Sequence, residues 1–123
     1  MRPRFLAFVA MLLSGSPLLA HHSAALFDVS QTFTFTGTIT KVDWRNPHVV
    51  IAVDVKSDTG KIGAWEFESG APSWFRARAV GKKEFEDAIG QPVTLEAVRA
   101  KDGTSYGYIY RITFASGKSL ELR

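Results

Sequence analysis

Thr32-Phe33-Thr34-Phe35-Thr36-Gly37-Thr38-Ile39-Thr40-Lys41-Val42-Asp43-Trp44 is the stretch on which the fold turns. β-Branched and aromatic residues dominate it, and such side chains suit a pleated, half-buried surface, so it reads as one long strand. Phe33, Phe35 and Ile39 share one face, after which the apolar positions move to Val42 and Trp44. Side chains alternate with a period of two, so this change of face needs an extra residue or a bend, expected near Gly37 or Thr40-Lys41. Strands kinked in this way suit small closed barrels.

Downstream, Arg45-Asn46-Pro47 breaks the pattern as a turn. A second strand is expected from His48 to Lys56, with Val49, Ile51, Val53 and Val55 on one face and His48, Val50, Ala52 and Asp54 on the other. Ser57-Asp58-Thr59-Gly60 has the composition of a hairpin turn and leads into a third strand, Lys61 to Glu68, around Trp65 and Phe67. One helical region follows: Ser73 is placed to cap a short helix through about Val80, Gly81 to terminate it, and Lys82 to Ile89 to add a turn before Gly90. Pro92 to Ala100 and Tyr106 to Phe114 read as strands four and five around a Lys101–Thr104 turn, with a last short strand near Leu120. The order β-β-β-α-β-β predicts an all-β protein with one short helix, a small OB-like antiparallel barrel of five to six strands.

Upstream of the strands the sequence changes character. Arg2 and Arg4 precede the apolar run Phe5 to Leu13, and Ser14-Gly15-Ser16-Pro17-Leu18-Leu19-Ala20 follows, the three parts of a secretory signal in order. The apolar run is shorter than the ~20 residues of a membrane-spanning helix, so cleavage rather than anchoring is expected. Ala20 suits the last position before the cut, although Leu18 is larger than the usual pattern prefers; the expected scission lies between Ala20 and His21. The expected mature chain, residues 21–123, has the length of a single domain and goes to the periplasm or the medium without a stable membrane anchor.

Charge and composition narrow the partners. The whole chain carries a formal charge of +3. Without Arg2 and Arg4, thirteen basic residues face twelve acidic ones. The sequence pI of about 9.4 therefore belongs to the precursor, and a nearly neutral mature chain lacks the basic field that binds nucleic acid. There is no cysteine, and both methionines, Met1 and Met11, precede the expected cut. A metal site in the mature chain would thus use nitrogen and oxygen ligands.

Several pieces are similar to the motif string of a family of small exported bacterial proteins with no assigned function. They are Ala20-His21-His22-Ser23, Thr36 to Trp44, Asn46-Pro47-His48-Val49, Trp65-Glu66-Phe67-Glu68 and Arg99-Ala100-Lys101-Asp102-Gly103, with Asn46-Pro47-His48 the most specific. The resemblance spans nearly the whole mature chain and implies export and a single domain, without an activity or a ligand set. Trp74-Phe75-Arg76-Ala77-Arg78 departs from the smaller or aliphatic residues expected there.

The chain's three histidines suggest a chemistry. Cleavage after Ala20 would make His21 and His22 the first two residues, and His48 begins the second strand. A terminal amine has a pKa of roughly 7.7–8.0 and binds a metal at modest proton cost. His21, through amine and ring, with the His48 imidazole would offer three nitrogens in the manner of a histidine brace, which suits Cu(II) best, zinc less well and nickel least. A competing arrangement uses the amine, the intervening peptide nitrogen and the His22 ring, and needs no fold. Asp28, Asp43 or Glu66 are candidates for an added oxygen ligand. The plainer alternative makes His21 and His22 a frayed polar start and His48 a turn residue bonded to nearby backbone.

The aromatic residues offer a different function. Trp44, Trp65 and Trp74 could line a groove or pack in the core, and Tyr106, Tyr108 and Tyr110 alternate along one face as a core seam or a stacking platform. No catalytic constellation stands out: there is no cysteine nucleophile, nucleophile elbow or glycine-rich phosphate loop. Glu66 and Glu68 share a strand face, which permits a carboxylate pair but more commonly means a solvated surface, as do Lys82-Lys83 and Glu84, Glu86 and Asp87. The leading expectation is a non-enzymatic copper-binding protein using His21, His48 and His22. The alternative is a binding module holding a small ligand or protein through Trp44, Trp65, Tyr106, Tyr108 and Tyr110, with no metal.

Overall fold

The computed structural model describes residues 25–123; the expected signal segment and its cleavage point, with His21 and His22, lie outside the described residues. Six strands follow in the order β1 (Phe27–Asp43), β2 (Val50–Lys56), β3 (Ile62–Glu68), β4 (Pro92–Ala100), β5 (Tyr106–Phe114) and β6 (Ser119–Glu121). Two short helices, α1 (Pro72–Arg76) and α2 (Lys82–Asp87), separate β3 from β4. The strands form one sheet in the order β3-β2-β1-β4-β5-β6. A parallel pairing of Glu66, Phe67 and Glu68 with Tyr106, Gly107 and Tyr108 joins β3 to β5 and closes the sheet into a ring. This is the connectivity of the expected OB-like barrel, antiparallel at every pairing except that closing seam.

The change of face in β1 comes from a register shift: Ile39 pairs with Val53 and Lys41 with Ala52, so Thr40 is the extra residue. It turns Val42 and Trp44 toward the interior, where both pack against the core. β1 also starts earlier than local propensity indicates. Asp28 to Thr32 are exposed and only weakly strand-forming, but Phe27 is 2% exposed, pairs with Ala100 and lies 5.8 Å from both the Tyr106 and Tyr108 rings. Long-range burial, rather than the local sequence, extends the strand.

The core gathers the inward faces of the strands, with Phe35, Ile39, Ile51, Phe67, Leu95 and Ile109 among its largest members. α1 and α2 add Phe75 and Phe85, both fully buried, their rings edge-on at 4.9 Å with Trp44 leaning on each. Burying each such phenylalanine contributes about 1.5–3 kcal/mol.

The helical region departs from expectation in two respects. It forms two helices instead of one, and Ser73 is not the cap: Ala71 precedes Pro72 at the first helical position, where proline's missing N–H costs nothing. The left-handed residue after α1 is Ala79, at φ 56°, and not Gly81. Gly81 instead starts α2, its N–H donating to the Glu84 carboxylate at 2.7 Å. Gly90, at φ 83°, ends the region as expected. Among the described residues no helix is long and apolar enough to cross a membrane.

Candidate functional site

The closing seam carries a polar cluster that links His48, Glu68 and Tyr106. Val49 is fully buried and faces the core, so His48 projects outward at the entrance of β2. The β2–β3 ladder continues past the strand ends: Val49 N–H donates to Gly70 O, and Ser69 N–H and Oγ–H both donate to Val49 O. This fixes the Ser69 carbonyl, which accepts a hydrogen bond from His48 Nδ1 at 2.9 Å. A carbonyl can only accept, so the proton sits on Nδ1 and the tautomer is set. The second ring nitrogen, Nε2, faces Glu68 Oε1 at 3.2 Å.

Glu68 is the hub. It lies on the outer side of β3 because Phe67 occupies the core, and only 12% of its side chain is exposed, against 32% for His48. Its second oxygen, Oε2, accepts from the Tyr106 hydroxyl at 3.0 Å. Tyr108, paired with Glu68 across the seam, meets the His48 ring edge-on at 6.3 Å and Tyr110 at 6.2 Å. Phe27 stacks on Tyr106 from β1. Phe27, Val50 and Val98 are buried yet stand outside the main core cluster, and Val50 and Val98 are register partners of Glu68 and Tyr108. The polar cluster therefore has an apolar bed.

That bed shapes the electrostatics. Burial, then the Glu68 charge and hydrogen bond and the more distant Glu66, push the Tyr106 hydroxyl up to about 12, with Arg45 opposing. Burial and Glu68 also raise Tyr108. Both phenols stay protonated at neutral pH, which keeps Tyr106 a donor and leaves Glu68 Oε1 directed at His48.

Of the other carboxylates named above, two are engaged elsewhere and one is exposed. Asp28 accepts from Ser30 N–H and Oγ–H, which hold its carboxyl below the usual range, and Asp43 pairs with Arg45 at 3.1 Å. Glu66 is exposed, two register pairs from Glu68. Among the described residues, Glu68 is the one carboxylate within 4.0 Å of the His48 ring nitrogens. Hairpin arithmetic could have found it: pairing Ser57 with Lys61 around Asp58–Gly60 sets Val50 opposite Glu68, diagonal to His48.

The structure separates the aromatic residues into groups. Trp44 packs on Phe75 and Phe85, Trp65 stacks on Phe67 at 5.7 Å, and Trp74 meets Phe75 edge-on while Arg78 covers its ring. Tyr106, Tyr108 and Tyr110 line the outside of the seam beside His48. His48 and two of the tyrosines are thus brought together, and the tryptophans are not part of that cluster.

Two ligands that bind one metal at ~2.0–2.2 Å lie roughly 2.9–3.4 Å apart for angles between square and tetrahedral. The 3.2 Å between His48 Nε2 and Glu68 Oε1 falls within that span. Outer partners also match what metal ligands need: a carbonyl holding the far imidazole nitrogen and a phenol holding the far carboxylate oxygen. Among the described residues no third histidine, aspartate or glutamate joins them, so these two could supply at most half of a four-ligand coordination sphere.

No curated protein and no solved structure matches the chain. The model of one protein family matches residues 10–109, a span that takes in the whole β1–β3 meander, both helices, β4 and the seam residues of β5. The chain belongs to that family, DUF6152, a family of unknown function.

Proposed function

We propose that the protein is exported and binds Cu(II) without catalysing a reaction, through the amine and ring of His21 as mature first residue, His48 Nε2 and the Glu68 carboxylate. His22 is the alternative partner of the amine, and zinc is the second-choice ion. The observation that carries the reading is the His48 ring, with Nδ1 committed to the Ser69 carbonyl and Nε2 turned outward beside Glu68.

Chain length supports the terminal donor. Five residues lie between His21 and Phe27, six steps along the chain and up to ~20 Å of extended backbone. The Phe27 ring is 5.8 Å from Tyr108, which is 6.3 Å from His48, so the position from which the upstream chain departs lies within that reach of the half-site. Two imidazoles, an amine and one carboxylate form a nitrogen-rich set of borderline hardness, which favours Cu(II) over other divalent first-row ions.

The test compares protein beginning at His21 with protein carrying one extra amino-terminal residue, each titrated with Cu(II) and followed by electron paramagnetic resonance. The proposal expects the extra residue to weaken binding at least about tenfold and to alter the nitrogen hyperfine pattern. Identical affinity and spectra in the two proteins would overturn the role of the terminal amine.

A further inference from the structure

A second feature lies where the barrel fails to close completely. β3 pairs with β5 only from Glu66 to Glu68, which leaves Ile62 to Trp65 without a partner on that side. The opening is a cleft of about 550 Å³, a size that suits a small molecule. Phe35 and Trp65 form its apolar wall, and Lys56, Lys61, Arg99 and Asp58 its polar rim.

Arg99 is unusual in how it is held. It follows Leu95 and Ala97 on the inward side of β4, so its guanidinium lies across the aromatic wall, 3.8 Å from the Phe33 ring centre, 5.4 Å from Phe35 and 5.7 Å from Trp65. Stacking uses the faces of the planar group and leaves its N–H edges free. Among the described residues no carboxylate pairs with Arg99, Lys56 or Lys61. Three cations thus surround an aromatic surface, with Asp58 the single carboxylate among them.

We propose that this cleft binds a small organic monocarboxylate, its carboxylate on the Arg99 guanidinium edge and its apolar body against Trp65. A guanidinium fork matches a carboxylate in two parallel hydrogen bonds. With Lys56, Lys61 and Arg99 against the single carboxylate of Asp58, the rim favours an anion over a neutral ligand of the same shape. Two segments singled out in the sequence, the ones beginning at Trp65 and at Arg99, meet here and have no part in the half-site at His48.

The experiment titrates ¹⁵N-labelled protein with benzoate, benzyl alcohol and phenyl phosphate while following the three tryptophan indole N–H signals, with Trp65→Phe used to assign the one from Trp65. Benzoate is expected to shift the Trp65 signal saturably, with those of Trp44 and Trp74 little changed. Benzyl alcohol should bind at least about tenfold more weakly, as should benzoate to Arg99→Gln, since a charge-assisted pair is lost, and phenyl phosphate binding more tightly than benzoate would overturn the choice of a carboxylate. His48→Gln should leave benzoate binding unchanged, which separates this cleft from the copper proposal. Absence of a saturable benzoate shift, equal binding of benzoate and benzyl alcohol, or full binding by Arg99→Gln would overturn the proposal. Should Arg99→Gln not fold, the ligand comparison on the unaltered protein decides alone.

Discussion

Gly107→Ala tests the closing seam most sharply. Gly107 sits in β5 between Phe67 of β3 and Arg99 of β4, and a methyl group placed there would lie 2.7 Å from the Val98 carbonyl oxygen and 2.9 Å from Cδ1 and Cε1 of Phe67. Neither neighbour can yield easily. The carbonyl belongs to a sheet ladder, and the Phe67 ring is fully buried with Phe35 edge-on at 5.0 Å and Trp65 stacked at 5.7 Å. Overpacking of this kind costs about 1–3 kcal/mol, and a backbone clash belongs at the upper end. The unfolded-chain benefit of replacing glycine returns only ~0.4–1 kcal/mol, so a net loss of about 2 kcal/mol is expected. For a domain of this size that lowers Tm by on the order of 10 °C, read from circular dichroism melts and from the urea midpoint. Gly63→Ala is the matched control: its methyl would meet only the Trp65 indole at 3.7 Å and 3.9 Å, an ordinary contact, and stability should stay within ~0.5 kcal/mol. A Gly107→Ala protein as stable as the Gly63→Ala one would refute the tight β3–β5 closure and with it the placement of Tyr106 on Glu68.

Three further outcomes follow from the same geometry. The Tyr106 pKa is raised from 10.0 to about 12 in the folded protein, so the contribution of this group to stability is full below pH 10 and is lost as pH rises from 10 to 12. Tyr106→Phe should remove that loss, and Glu68→Gln should bring the Tyr106 and Tyr108 titrations, followed by ultraviolet absorbance, down toward 10 without reaching it, because burial remains. Ala79→Gly relieves a left-handed φ of 56° just after α1; the gain of ~1 kcal/mol in strain less the unfolded-state cost leaves a rise of a few tenths of a kcal/mol in urea unfolding. Phe85→Ala removes a fully buried ring that contacts Trp44, Phe75 and Phe114, and should cost about 3–5 kcal/mol in the same assay.

The fold was legible in the sequence wherever local pattern and tertiary packing agree. The alternation Val49, Ile51, Val53 and the shift from Ile39 to Val42 are direct prints of one buried face and one extra residue, and the bounds of β4 and β5 follow from turns at Lys101–Thr104 and after Phe114. The early part of β1 was not legible, because Asp28 to Thr32 join the sheet only through the burial of Phe27 on two distant tyrosines. The helix ends were misread for a related reason: Gly81 looks like a terminator by type, but the chain tolerates a strained Ala79 so that Val80 can turn into the core. At the site, His48 and the alternating tyrosines were visible as candidates. Their meeting point, Glu68, was not, since a glutamate two residues from another on a strand reads as solvated surface until the parallel β3–β5 pairing places Tyr106 and Tyr108 over it.

The copper reading turns on the His48 imidazole, which pulsed electron paramagnetic resonance of the Cu(II)-loaded protein beginning at His21 reads out. Modulations from two coupled imidazoles are expected, with one set lost in a folded His48→Gln variant. An unchanged modulation pattern in that variant would contradict it.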